Sequence, residues 1–248
     1  MESDLYDAIR RVEATHWWYA GRRAVVYDRL VRLLPRYTRP RVLDIGCGTG
    51  FNLEQVKALG VRHAVGLDLS AKALSFCRER GLSQLVRGDA AQPPFGDQTF
   101  DIVLALDLIE HVEDDRKALT GLWRVLKPEG RLIVFTPAFQ FLWSAQDRAS
   151  HHFRRYTAPE LRSKLLDAGY RIDKLSYANT LLFPVVWGGR ALLRASGRSD
   201  EVSNENDLHP QWSNNLLARV FAAERPLLRR VNFPFGVSLL AVAARPPI

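Results

Sequence analysis

Apolar residues return at helical spacing along the first part of the chain: Leu5, Ile9 and Val12, then Val25, Val26, Leu30, Leu33 and Leu34. The spacing predicts helix over residues 1–38, broken around His16-Trp17-Trp18-Tyr19 and ended by Pro35 and Pro40. From residue 41 the pattern changes. Short continuous apolar runs at 41–45, 64–68, 84–87, 100–106 and 131–135 read as strands buried on both faces. Helical stretches at 51–59, 71–80, 115–126 and 157–168 separate most of them; the last has Pro159 in its first turn and Gly169 just past its end. Such alternation predicts right-handed crossovers and a largely parallel sheet. Residues 170–177 and 236–244 read as a sixth and a seventh strand, and the Leu-, Trp-, Pro- and Arg-rich stretch at about 178–232 as an insertion.

Composition narrows the class. With 248 residues, 47% of them hydrophobic and 25% charged, the chain is long enough for one sizeable core and too apolar to be disordered. Two cysteines, Cys47 and Cys77, do not make a disulfide scaffold and suit a reducing compartment. The start, Met-Glu-Ser-Asp, is acidic and no apolar signal region follows, so the expected location is the cytoplasm. A formal net charge of +8 fits a generally basic surface first, and next an anionic partner, whether nucleic acid, a phospholipid surface or a phosphorylated substrate. The arginines are scattered without a run, so charge alone names none of them.

Candidate chemistry gathers where the predicted strands end. A strand that closes on a glycine turn and enters a helix offers free N–H groups and a positive dipole to a nucleotide-like ligand. Gly46, Cys47, Gly48 and Gly50 supply this turn, with Asp44 just before it. Asp68, followed by Leu69, ends the second strand 22 residues past Gly46, where a carboxylate can accept from both ribose hydroxyls. Asp89 follows the third strand and can accept from an adenine amine, with the Ala90 N–H donating to a ring nitrogen. Leu106 closes the fourth strand beside them.

Together these segments resemble a known family. Val42-Leu43-Asp44-Ile45-Gly46-Cys47-Gly48-Thr49-Gly50 is similar to the first motif of class I S-adenosylmethionine (SAM)-dependent methyltransferases. Gly66-Leu67-Asp68-Leu69-Ser70, Gly88-Asp89-Ala90 and Phe100-Asp101-Ile102-Val103 resemble the next three. The likeness covers about residues 40–175 and points to the bacterial group near the ubiquinone-pathway O-methyltransferases. The G-x-G-x-G spacing departs from the dinucleotide fingerprint G-x-G-x-x-G. The resemblance implies SAM as cofactor and an α/β, Rossmann-like, seven-stranded and mostly parallel sheet with helices on both faces. It also implies that the last strand, 236–244, is antiparallel.

Three clusters compete for the acceptor's chemistry. A SAM-dependent reaction displaces the methyl carbon in line, so the protein mainly positions the acceptor and, for a hydroxyl, takes its proton. Asp107, Glu110 and His111 would share one face if their segment is helical, as a base with its orienting carboxylate or as a divalent-metal site. The segment resembles the acidic-x-x-Glu-His text of ubiquinone-pathway enzymes, for which a metal role is proposed; the reading adopted here assigns no metal. In His151-His152-Phe153-Arg154-Arg155-Tyr156, His152 is a candidate base, while Arg155 and Tyr156 are candidate acceptor contacts. His16-Trp17-Trp18-Tyr19-Ala20-Gly21-Arg22-Arg23 resembles a segment near the start of bacterial methyltransferases; it is either packing or a lid in which Tyr19 and Arg22 meet the acceptor.

The expected organisation is therefore a helical lid over 1–38 and a SAM-binding domain over 39–248 with a helical cap at about 178–232. Within that cap Leu216, Leu217, Val220, Phe221, Leu227 and Leu228 are expected along one helix face, kinked at Pro226, either over the acceptor or against anionic lipid. The acceptor is expected to be a small or lipid-linked molecule methylated at oxygen, with peripheral membrane contact through the insertion and no obligatory protein partner. Three other readings stay open. A nucleic-acid methyltransferase is disfavoured because Asp107-Leu108 does not resemble the Asn/Asp-Pro-Pro-Tyr/Phe text of amino-group enzymes. A nicotinamide dehydrogenase is disfavoured by the glycine spacing, and a non-catalytic SAM-fold protein would bind SAM without turnover.

Overall fold

The computed structural model describes residues 3–196 and 210–247. Two helices come first, α1 (Ser3–Val12) and α2 (Trp17–Leu33). The break between them lies before the aromatic run, so Trp17, Trp18 and Tyr19 form the first turn of α2. His16 is the N-cap, its ring accepting from the Trp18 N–H at 3.3 Å.

Strand and helix then alternate as the pattern predicts: β1 (Arg41–Ile45), α3 (Phe51–Ala58), β2 (His63–Asp68), α4 (Ala71–Glu79), β3 (Leu85–Arg87) and β4 (Phe100–Leu106). After α5 (Asp115–Val125) comes β5 (Leu126–Pro137), longer than expected because a bulge at 127–130 joins the strand. The short α6 (Ala145–Ala149) and α7 (Ala158–Asp167) precede β6 (Arg171–Ala178). Thr157 and Glu160 cap α7 reciprocally, with Pro159 in the first turn. The insertion contributes α8 (Phe183–Ala195), α9 (Gln211–Ala223) and α10 (Arg225–Leu228) before β7 (Ser238–Ala244). Part of the expected cap, 197–209, lies outside the described residues.

The seven strands form one sheet in the order β3-β2-β1-β4-β5-β7-β6. β7 runs antiparallel to both neighbours and the other pairings are parallel. Period-two alternation sorts the side chains onto two faces. Val42, Ile102, Leu104, Ile133, Phe135 and Leu240 face α2, α3, α4 and α9. Leu43, Val103, Ala105, Leu132, Val134 and Ala241 face α5 and α7. Both faces are covered, which is why the central strands read as continuous apolar runs.

The insertion departs from the expected single kinked face. The chain breaks at Glu224 into α9 and α10, with Pro226 in the first turn of α10, where its missing N–H costs nothing. Phe221 and Leu228 are buried, but Leu216 and Leu227 are more than half exposed. Phe221 sits so close to α2 that a Cβ on Gly21 would lie 2.2 Å from its ring. Asn214 adds a polar tie: its Oδ1 accepts from the Trp17 N–H and its Nδ2 donates to the Thr15 carbonyl, both at 2.8 Å.

Candidate active site

Strand order reverses on either side of β1, with β2 leading one way and β4 the other. Crossovers leave the sheet in opposite directions there, and the carboxyl ends of the strands open into a crevice. A cavity of about 1230 Å³ occupies it. That exceeds the usual 300–1,000 Å³ or so of a single-ligand pocket, so there is space for two molecules side by side.

The floor is built by the three strand-end turns. Gly46 and Cys47 donate to the Leu67 carbonyl at 2.8 and 3.0 Å, which pins the glycine turn to the end of β2. Gly48 has φ +55, and a Cβ there would meet nothing within 4 Å. Its open side is the cavity, while its φ calls for glycine. Asp68 reaches back under the turn, its Oδ2 accepting from the Gly48 N–H at 2.9 Å and its Oδ1 from the Ser70 N–H at 2.8 Å. Asp89 accepts from the Ala91 N–H at 2.8 Å. The cavity wall takes in Gly46, Cys47, Gly48, Asp68, Asp89 and Ala90, with Leu69 and Leu106 beside them. Asp44 and Gly50 lie outside it, the first beneath the turn and the second at the start of α3.

The side toward the chain's first helices is polar and tightly tied. The Tyr6 hydroxyl lies 3.5 Å from Asp68 Oδ1. Glu13, buried, accepts from the Thr49 hydroxyl and pairs with Arg80 at 2.6 Å, and Asp7 pairs with Lys72 on α4. Arg22 of α2 is buried, lies 5.1 Å from the Trp18 ring centroid and 5.5 Å from that of Tyr19, and pairs with Asp107.

That pairing alters the expected cluster at the end of β4. Asp107 takes φ +51, and only one 3₁₀ turn, Ile109–His111, follows. The single helical face expected for Asp107, Glu110 and His111 does not form. Asp107 turns to Arg22, while Glu110 points inward, its Oε2 accepting from the Thr136 hydroxyl at 2.9 Å. His111 instead meets His152, their ring centroids 4.5 Å apart and edge to face. Glu110, His111 and His152 bring donor atoms within 4.8 Å of one another, a grouping able to take a divalent ion.

Behind His152 stands a residue that sequence reasoning missed. Asp147, fully buried in α6, accepts from His152 Nδ1 at 2.8 Å, Arg155 Nε at 2.8 Å and Arg155 Nη2 at 2.9 Å. His152 and Arg155 line the cavity; Tyr156 does not, its hydroxyl donating to Asp115 Oδ2 at 2.7 Å under α5. The only local signal for Asp147 is its place three residues after Ser144 in a capping box, which reads as a helix start.

Electrostatically the floor is acidic. Burial pushes the Asp44 carboxyl up to about 7, with Arg22 opposing and Asp68 adding to the shift. Burial also raises Asp68, Asp107 and Glu110. Burial, helped by His152, pushes His111 down to about 3 and holds it neutral. Asp147 goes the other way: despite its burial, His152 and Arg155 keep it well below the usual carboxylate range.

A cationic ligand suits this floor. Asp44 Oδ2 and Glu110 Oε1 are buried without hydrogen-bond partners, and a nearby positive charge favours the ionised form that their burial opposes. Leu69 sits on the rim 67% exposed, an apolar surface ready for a flat base. A sulfonium nucleoside with an amino-acid tail fits both features.

The far wall is α8, which presents Val185, Val186, Gly189 and Leu193 to the cavity. None of its residues is buried, and Trp187 and Leu192, which do not line the cavity, are 53% and 72% exposed. Among the described residues no helix is long and apolar enough to cross a membrane.

Comparison with known proteins agrees with this geometry. A family model described as a methyltransferase domain matches residues 43–134. A Mycolicibacterium smegmatis protein described as an S-adenosylmethionine-dependent methyltransferase is 30% identical over 93% of this chain and 90% of its own length. Mycobacterium tuberculosis relatives of the same description are 30% identical over 64% of this chain, and the match spans 57% of their length. The ubiquinone biosynthesis O-methyltransferase of Xanthomonas oryzae is 30% identical over 64% of this chain and 72% of its own. Among solved structures, the fold resembles that in a complex of the Haloferax volcanii Trm112 methyltransferase activator with a methyltransferase, at TM-score 0.63 and 20% identity over 97% and 95% of the two chains. With strand-end turns, acidic floor and relatives in agreement, the chain belongs to the S-adenosylmethionine-dependent methyltransferases.

Proposed function

We propose that this chain transfers the methyl group of SAM to an oxygen of a small-molecule or lipid-linked acceptor. The observation that carries the reading is a single cavity: the Gly48, Asp68 and Asp89 turns share it with His152 and with the apolar wall of α8. When bound, SAM supplies an electrophilic methyl carbon on a sulfonium whose carbon–sulfur bond breaks with the electron pair staying on sulfur. The Asp68 carboxylate would hold the ribose hydroxyls, Asp89 and the Ala90 N–H the adenine, and the Gly46–Gly48 backbone the amino-acid tail.

His152 is the base in this reading, with His111 beside it, and Asp107 contributes by fixing Arg22 at the rim. Tyr19, Arg22 and Arg155 line the acceptor side. Helices α1 and α2 act as the lid, α1 as its movable flap and α2 as its fixed roof, and closure of the flap over the floor excludes water from the transferring methyl. Oxygen as the methylated atom draws support from the O-methyltransferase of Xanthomonas oryzae.

A lipid-linked acceptor draws support from α8. A helix apolar on both sides is normally buried in a core or in lipid. Here Val186, Gly189 and Leu193 line the cavity while Trp187 and Leu192 are largely exposed, so lipid can meet the helix that walls the acceptor.

Incubating the protein with methyl-tritiated SAM and a cell extract, then separating lipids, small molecules, nucleic acid and protein, tests the reading. Label is expected in the lipid or small-molecule fraction. Label confined to nucleic acid or protein overturns the acceptor class, and SAM bound without any transfer overturns catalysis. Sedimentation with phosphatidylglycerol vesicles at low salt tests the lipid arm, where wild type should pellet and Trp187→Glu should not.

A further inference from the structure

Asp147 belongs to no strand-end turn and to no motif that carries the family resemblance. Its helix, α6, is five residues long and lies between β5 and α7. As a helix start it would need only its bonds to Ser144, the N–H at 2.7 Å and the hydroxyl at 3.2 Å. The same carboxylate also collects the His152 ring and both prongs of Arg155, while fully buried. A cap usually sits at the surface, facing water. This one faces a histidine on the cavity wall.

We infer that Asp147 is the positioning residue for the proton-accepting histidine: it fixes the tautomer and orientation of His152, and Arg155 locks Asp147 in turn. The inference rests on the reading of His152 as base. Three observations carry it.

The grip is two-point. The His152 backbone N–H donates to the Asp147 carbonyl at 2.9 Å, and the ring Nδ1 meets the Asp147 carboxylate at 2.8 Å. Backbone and ring are therefore held by one residue, and rotation about the side-chain bonds would break the second contact. The grip is also chemically one-way. An ionised carboxylate only accepts, so Nδ1 must carry a proton, and in the neutral ring Nε2 keeps its lone pair. Arg155 keeps Asp147 ionised, its bidentate fork offsetting the buried negative charge.

The same ring lines the cavity and stands in T-shaped contact with His111. The acceptor oxygen takes the methyl group as its own hydroxyl proton passes to His152 Nε2. The resulting imidazolium is held against Asp147 until the proton leaves to water. No oxidant or further reactant enters.

The test reads the ring itself. Long-range ¹H–¹⁵N correlations on protein labelled at histidine, with His152→Gln to assign the resonance, report the tautomer without any acceptor. Wild-type His152 is expected as the Nδ1–H form. Asp147→Asn can donate its amide N–H to Nδ1 and is expected to switch the ring to the Nε2–H form, with methyl transfer to the labelled extract fraction falling at least about a hundredfold at unchanged apparent KM for SAM.

Equilibrium binding of tritiated SAM to Asp147→Asn is expected within about threefold of wild type. A wild-type ring in the Nε2–H form, or a tautomer indifferent to Asp147→Asn, overturns the inference. If Asp147→Asn does not fold, the wild-type tautomer alone decides. Wild-type protein that binds no SAM defeats the functional reading instead, and the tautomer measurement still stands by itself.

Discussion

Arg22 and Asp107 stand 85 positions apart in sequence and meet as an ion pair joining α2 to the end of β4. The pair ties the helices above the cavity to the strand at its centre. Asp107 is largely buried and Arg22 more so. Removing one member leaves the other charge in a poor solvent, whereas removing both costs much less. Arg22→Met is therefore expected to lower unfolding free energy by about 3–5 kcal/mol, and Arg22→Met with Asp107→Asn by clearly less than the sum of the single changes. Urea melts of the four proteins measure the coupling; additivity would mean the pair is not formed in solution.

Asp68 holds the glycine turn and faces the cavity together. Asp68→Ala removes an acceptor from the Gly48 and Ser70 N–H groups and takes a carboxylate from the proposed ribose position. A loss of about 1–3 kcal/mol in stability is expected, small enough to leave the protein folded, together with at least about a hundredfold weaker SAM binding. Circular dichroism and equilibrium dialysis separate the two effects. Unchanged affinity would remove Asp68 from the cofactor site.

Asp44 gives the site a pH dependence. Burial lifts its carboxyl to about 7, so near neutrality the free protein holds roughly half a proton there. A bound cation favours the ionised form and lowers that value, so binding expels the proton. SAM affinity should rise as pH is raised towards 7 and level off above it, by no more than about tenfold per pH unit for this one proton. Asp44→Asn should flatten the profile. Calorimetric titrations in buffers of different ionisation enthalpy count the proton directly.

Gly21 and Phe221 test the packing of the insertion. A methyl at Gly21 would sit 2.2 Å from the Phe221 ring, closer than any real contact. Gly21→Ala is expected to cost about 1–3 kcal/mol through overpacking, and Phe221→Leu should restore part of it. Thermal melts of both variants and their combination check this; a neutral Gly21→Ala would show that α9 does not rest on α2.

What the sequence reveals and what it conceals divide along the range of the interactions. Gly46, Gly48, Asp68 and Asp89 each close a strand, so the local text that makes a parallel strand end also marks the cavity floor, and β7 was visible as a last apolar run. Asp107 misled because helix periodicity was assumed where a positive φ and a single 3₁₀ turn follow β4. Tyr156 stands next to Arg155 in sequence yet turns under α5, since successive residues of an extended segment point opposite ways. Asp147 was hidden because its local neighbourhood is a capping box, and only the folded chain brings His152 and Arg155 onto it. Leu216 stands five positions before Phe221, nearly half a turn round α9 from it, and Leu227 lies beyond the break at Glu224, so both stay more than half exposed.

The two helices above the floor are fastened by different means. Gly21 and Phe221 interlock α2 with α9 through dry, close-packed apolar surface, which water cannot replace. By contrast α1 and the Glu13 that follows it are held down by the polar bonds of Tyr6, Asp7 and Glu13, which water can take over once the helix lifts. A hinge at the short link between them would therefore let the first helix peel off as a hydrated flap while the second stays welded. Ligand exchange beneath α1 would then be governed by ion pairs, and raising the salt concentration should quicken it.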